Sequence, residues 1–131
     1  MAAHLFFKSA AHKQRFLTIM QQIDKVFDGR MDPEYGAALY ILTSDAAMWE
    51  QASKYVERNA IQIEDLLNEI HFSHGYQVLI QLAANLFNEL NEAGRQVRPV
   101  DLMILDEDNF QVALTALQLR YGSLRVEDLK A

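Results

Sequence analysis

With 131 residues, half of them hydrophobic, 23% charged and none of them cysteine, the chain has ordinary globular composition and the length of one domain, 1–131. The lack of cysteine excludes disulfides, a thiolate metal site and a Cys nucleophile, which is compatible with a reducing cytoplasm. The formal charge of −6 is uneven: residues 1–30 carry +3, residues 31–92 carry −8 and the remainder −1. A mostly acidic surface repels phosphate backbones, so no nucleic-acid partner is expected. The basic first segment can pair with the acidic middle or with an acidic partner, although solvated helix faces account for the pattern more simply.

Near the start the apolar run Leu5-Phe6-Phe7 is cut by Lys8, so no signal-peptide core is present, and a soluble, cytoplasmic protein with no membrane partner is expected. Ser9 caps a first helix predicted to run to about Asp28, with Phe16, Met20, Ile23 and Phe27 at helical spacing and Gly29 as its stop. Asp32-Pro33 then opens the segment PEYGAALYIL, about 33–43. Pro fits a first helical position because its missing N–H has no intrahelical partner there. A helix apolar on nearly all sides belongs inside a protein, and about ten residues are too few for a bilayer, which takes ~20.

Ser44 starts a third helix, predicted over 45–56, with Met48, Ala52 and Tyr55 on one side and Trp49 and Val56 adjoining. Arg58-Asn59-Ala60 breaks the pattern, and Ile63 to Ile70 reads as a short helix with Glu64 and Asp65 favourably placed in its first turn. Ser73 caps a helix from His74 to about Ala93, with a stripe of Tyr76, Leu79, Ala83, Leu86, Phe87 and Leu90. Gln77, Gln81, Asn85, Asn88 and Glu92 hold its opposite face, and Gly94 stops it. The period does not distinguish a strand from a helical turn over Val100–Leu105. Asp106-Glu107-Asp108 leads a last helix to about Tyr121, with Phe110, Leu114, Leu117 and Tyr121 as its stripe and Gly122 as its stop; the tail 124–131 adds a further turn.

Candidate chemistry is sparse. His71 and His74 form an H-x-x-H with Glu69 and Glu64 close in sequence, and imidazoles three apart on a helix can share a metal with a carboxylate. Ser73 as a cap breaks that helical geometry, and His71 ending one helix and His74 starting the next explains the pair without a ligand. A calcium loop aligned on Gly29 fails, since Val26 and Tyr35 fall where oxygen ligands are required. No G-x-S-x-G, phosphate loop or G-x-G-x-x-G occurs. Gly36 lies inside the apolar helix, where Gly costs roughly 1 kcal/mol relative to Ala. Close approach of a crossing helix is the expected reason, with a tucked ligand as the alternative.

Three stretches, Leu5-Phe6-Phe7-Lys8-Ser9 with His12 to Phe16, EIHFSHGYQVLIQLAANLFN over 69–88, and LDEDNFQVALTALQLRYG over 105–122, resemble a family of small uncharacterised bacterial proteins, mostly Gram-positive, known as a domain of unknown function. The resemblance covers nearly the whole chain. It implies a bacterial cytoplasmic origin and brings no activity, ligand or functional residue.

The expected fold is all-α: a compact bundle of five to seven helices around the central helix at about 33–43. Ala38, Leu39, Ile41 and Leu42 are expected in its core, with Phe16/Met20/Ile23, Leu79/Ala83/Leu86 and Leu114/Leu117 facing them. The expected function is a non-catalytic helical interaction module, with homodimerisation as one form, no cofactor and no catalytic residue. Trp49, Phe72 and Tyr76 are the interface candidates, because large rings dominate interface energetics. The alternative is a metal- or small-ligand-binding enzyme or sensor using His71 and His74 with Glu69 or Glu64.

Overall fold

The computed structural model describes residues 5–27, 30–87 and 96–122. The fold is all-α. Among the described residues the order is α1 (Ala10–Gln22), a hairpin of β1 (Val26–Phe27) and β2 (Arg30–Met31), α2 (Pro33–Leu42), α3 (Ala46–Ala52), a 3-10 turn (Ser53–Tyr55), a second hairpin of β3 (Val56–Glu57) and β4 (Ala60–Ile61), α4 (Ile63–Glu69), α5 (His74–Phe87), a 3-10 helix (Pro99–Ile104) and α6 (Glu107–Tyr121). No helix among these residues is long and apolar enough to cross a membrane.

The apolar segment becomes the centre, as its composition demands. The Asp32 carboxylate accepts from the N–H groups of Glu34 and Tyr35 at 3.0 and 3.1 Å, Pro33 occupies the first turn, and every residue from Tyr35 to Leu42 is buried. Helix α2 packs chiefly against α5 and α6, with α1 and α3 completing its surroundings. Its last turn is closed by two buried hydroxyls: Thr43 Oγ1 donates to Leu39 O at 2.7 Å, and Ser44 Oγ to Ile41 O at 2.6 Å. Arg15 adds a cation there, its Nε donating to Thr43 O at 2.8 Å, which complements the negative end of the helix dipole. Asp45 then caps α3 through Met48 N–H at 3.0 Å.

Several boundaries differ from the sequence reading. Helix α1 ends at Gln22, six residues short of Asp28. Asp24 adopts a left-handed φ of 59°; its N–H bonds Gln21 O and the Lys25 N–H bonds Met20 O, both at 3.1 Å. This is a Schellman stop built on Asp, one of the few side chains that tolerate that region. Helix α3 stops at Ala52 rather than Val56, and Arg58-Asn59 is the turn between β3 and β4. The stretch left between strand and helical turn is the 3-10 helix, pinned at its start by Arg98 N–H donating to Asp101 Oδ2 at 2.8 Å. Asp28 and Gly29, the stretch Asn88 to Gly94 and the tail 124–131 lie outside the described residues, as does the side chain of Phe27.

Gly36 is not explained by a crossing helix. A methyl built on it would meet Met31 Cβ at 3.7 Å and Met20 Cε at 4.0 Å, which is ordinary contact with a strand and the α1 side chain.

The expected core of Phe16, Met20, Ile23, Ala38, Leu39, Ile41, Leu42, Leu79 and Ala83 is buried, and Leu86 is half-buried against it. The expectation fails at α6. Leu114 and Leu117 remain 37% and 40% exposed and Tyr121 88%, while Asn109, Val112, Ala113, Thr115, Ala116 and Leu119 face the core.

Candidate functional site

Helix α6 carries two apolar faces, and the structure buries the one made of smaller side chains. Ala113, Thr115 and Ala116 allow it to pack near α2, whose own surface is small at Ala37 and Ala38; helix separation follows the size of the residues in the contact. Polar contacts fix the rotation. Thr115 bonds the Tyr40 hydroxyl, and Asn109 Oδ1 accepts from Lys8 Nζ at 2.9 Å. What points outward is Leu114, Leu117 and Tyr121, and Phe110, packed partly against the core, continues the same stripe; the spacing is four, three and four residues. That is the a/d spacing of a two-helix seam. Phe110 is half-buried and the exposure rises along the seam to Tyr121. Asp106 caps the helix at Asn109 N–H, 2.8 Å away, Glu107 and Asp108 sit in its first turn, and Gly122 ends it in the left-handed region at φ 92°.

A polar clamp binds the N-terminal segment to the other side of the bundle. Lys8 Nζ lies 2.9 Å from Asn109 Oδ1 and 3.3 Å from the Tyr76 hydroxyl, which in turn donates to Asp45 Oδ1 at 3.3 Å. The ammonium also stands 5.3 Å from the centroid of the Tyr76 ring. Nearby, His12 is fully buried between Phe7 and Tyr40, with ring centroids 4.9 and 4.7 Å away. Its Nδ1 accepts from Lys8 N–H at 3.1 Å, so Nε2 carries the proton and donates to Tyr40 O at 2.9 Å. This bonding is that of a neutral imidazole. Burial pushes its pKa down to about 4, helped by the nearby Arg15 and Lys8 charges and opposed by the bond to Tyr40 O. Burial also raises the Tyr40 phenol, whose hydroxyl donates to Phe6 O. The clamp is a fixed, closed network whose polar groups are spent on one another.

The residues singled out from the sequence are dispersed around this frame. His71 is exposed on the link between α4 and α5, and His74 is exposed at the start of α5, beside a cavity shared with Asp101. Glu64 is exposed in the first turn of α4, and Glu69 at its end accepts from the Tyr55 hydroxyl. Among the described residues no group of three or more His, Asp and Glu side chains is arranged to hold a metal ion. Trp49 is half-buried and lines a shallow groove with Arg15, Ile19 and Gln22 of α1. Phe72 and Tyr76 are half-buried with ring centroids 6.3 Å apart, and Tyr76 belongs to the clamp. The outward seam was visible in the sequence as a stripe, but its direction was not; the buried stripe of Val112, Ala113, Ala116 and Leu119 competes with it at the same period.

A family model described as a family of unknown function (DUF6075) matches residues 2–130, and the chain belongs to that family. No curated protein matches the chain, and no solved structure matches it.

Proposed function

We propose that the protein is a cytoplasmic, non-catalytic interaction module that assembles with a second copy of itself through the outer face of α6. The observation that carries this reading is the exposed stripe of Leu114, Leu117 and Tyr121, continued at a/d spacing by the half-buried Phe110. Two identical helices related by a twofold axis bury such a seam reciprocally. With the axis between Leu114 and Leu117, each Leu114 meets the partner's Leu117 and each Phe110 meets the partner's Tyr121. The antiparallel arrangement opposes the two helix dipoles. It also brings Arg120, whose Nε is held by Leu86 O at 2.8 Å, within a turn of the partner's acidic Glu107 and Asp108. A single helix pair is small beside the roughly 800 Å² per partner of a standard interface, so micromolar, concentration-dependent association is expected.

Sedimentation equilibrium from low to high micromolar concentration tests it. The wild type should shift from monomer to dimer, and the Leu114→Glu/Leu117→Glu double variant should remain monomeric with an unchanged circular-dichroism spectrum. A wild type monomeric throughout, or a double variant that still dimerises, would overturn the reading.

A further inference from the structure

The segment 5–8 is a strap laid over the bundle, and Ser9, in extended backbone at φ −161° and ψ 168°, is the hinge where the chain turns into α1. Leu5 is buried, and Phe6 and Phe7 pack partly against the core. The polar ties of the strap reach four helices. The Tyr40 hydroxyl of α2 donates to Phe6 O. Lys8 Nζ donates to Asn109 Oδ1 of α6 at 2.9 Å and to the Tyr76 hydroxyl of α5 at 3.3 Å. The fourth tie is Lys8 N–H donating to His12 Nδ1 of α1 at 3.1 Å.

This last bond differs from the others because a single proton abolishes it. An imidazole accepts only at an unprotonated nitrogen, and an imidazolium donates from both. The bond from Nε2 to Tyr40 O at 2.9 Å survives protonation, since it is already a donor bond. The bond at Nδ1 does not: a second ring proton would point at the Lys8 N–H, donor against donor. Proton uptake by His12 therefore acts on the strap side of the ring and leaves the α2 side intact.

The surroundings add to this selectivity. The ring is fully buried, and the charges bearing on it are the cations Arg15 of α1 and Lys8 of the strap. The neutral Tyr40 phenol faces it from α2. The carboxylates of Asp45 and Asp106 join the network at Tyr76 and Asn109, and neither bonds the ring. Burial pushes the docked ring down to about 4, against 6.5 for an exposed one. Undocking moves Lys8 away and opens the ring to water, so the undocked form binds the proton more tightly.

We propose that the segment 5–8 is a proton-gated strap, which swings out about Ser9 as His12 takes up one proton, with the helices left in place. Swinging out uncovers the rings of Phe16 and Tyr40, which Phe7 meets at centroid distances of 6.1 and 5.7 Å. It also frees Asn109 on the buried face of α6 from Lys8, so the device is distinct from the exposed stripe and does not depend on self-association.

Amide exchange of Lys8 N–H, followed by NMR from pH 7.5 to 4.5, tests it. After correction for intrinsic exchange, the opening constant should rise about tenfold per pH unit below 6.5. It should exceed the opening constant of the slowest α2 amides and depend less on denaturant, as for a local opening. His12→Gln keeps a side-chain N–H donor and cannot be protonated, so its opening constant should be flat with pH. By reciprocity, Phe7→Ala, which weakens docking, should raise the His12 pKa towards 6.5, read from the ring resonances. An opening constant independent of pH in the wild type, Lys8 N–H exchanging only at the rate of the slowest α2 amides, or a His12 pKa unmoved in Phe7→Ala would overturn the proposal.

Discussion

Helices α2 and α6 lie against each other, yet they treat leucine in opposite ways. In α2, Leu39 and Leu42 are sealed from solvent on every side, whereas Leu114 and Leu117 of α6 remain more than a third exposed. Helix α2 has no polar face, so any packing must bury it all round. Helix α6 has two apolar faces and only one can meet the core. The face it buries carries Ala, Thr and Asn, which bring backbones together and find polar partners; the face it leaves outside carries the larger side chains. Apolar content therefore does not by itself place a helix face inside. Fit against the neighbour and satisfaction of Asn109 and Thr115 do.

The sharpest way to break this contrast is one chemical change made at both sites. Leu39→Ala should cost about 2–5 kcal/mol, as expected for a fully buried leucine leaving a cavity, measured by denaturant unfolding with an unchanged slope. A loss below about 1 kcal/mol would mean that the surroundings of α2 collapse freely.

The second test concerns the polar anchor of α2 on α1. Unfolded His12 titrates near 6.5 and the buried ring near 4. Between those values the unfolded chain binds the extra proton, so stability rises with pH across the window and is lost as pH falls from 6.5 towards 4. The whole window is worth at most about 3 kcal/mol. Unfolding free energies measured from pH 7.5 downward should fall more steeply in the wild type than in His12→Asn. Equal slopes would place the acid sensitivity elsewhere.

Gly36→Ala should stabilise the protein by about 0.5–1 kcal/mol, because the helix gains propensity and the methyl meets only ordinary contacts. A lowered melting temperature would show that Met20 and Met31 cannot yield. The smallest effect is expected at the outer face. Leu117→Ala, measured at a concentration too dilute for self-association, should change stability by no more than about 0.5 kcal/mol, as for other surface positions. A cost approaching that of Leu39→Ala would show that the seam is covered within one chain.

Local chemistry alone forces part of this architecture. Asp32-Pro33 and Thr43-Ser44-Asp45 bound a segment with no polar face, so a central helix was legible with its caps and its core. Asp106 and Gly122 framed α6 in the same way. Tertiary structure decided what local chemistry leaves open. The left-handed stop at Asp24 rests on backbone bonds from Asp24 and Lys25 to Gln21 and Met20, which no residue pattern announces. The direction of the α6 stripe depended on two faces of equal period being weighed against the surface of α2. The cavity that Gln77 and Gln81 share with residues 96–101 needed a wall from a later part of the chain, because a helix face cannot show from its own sequence what folds back to cover it.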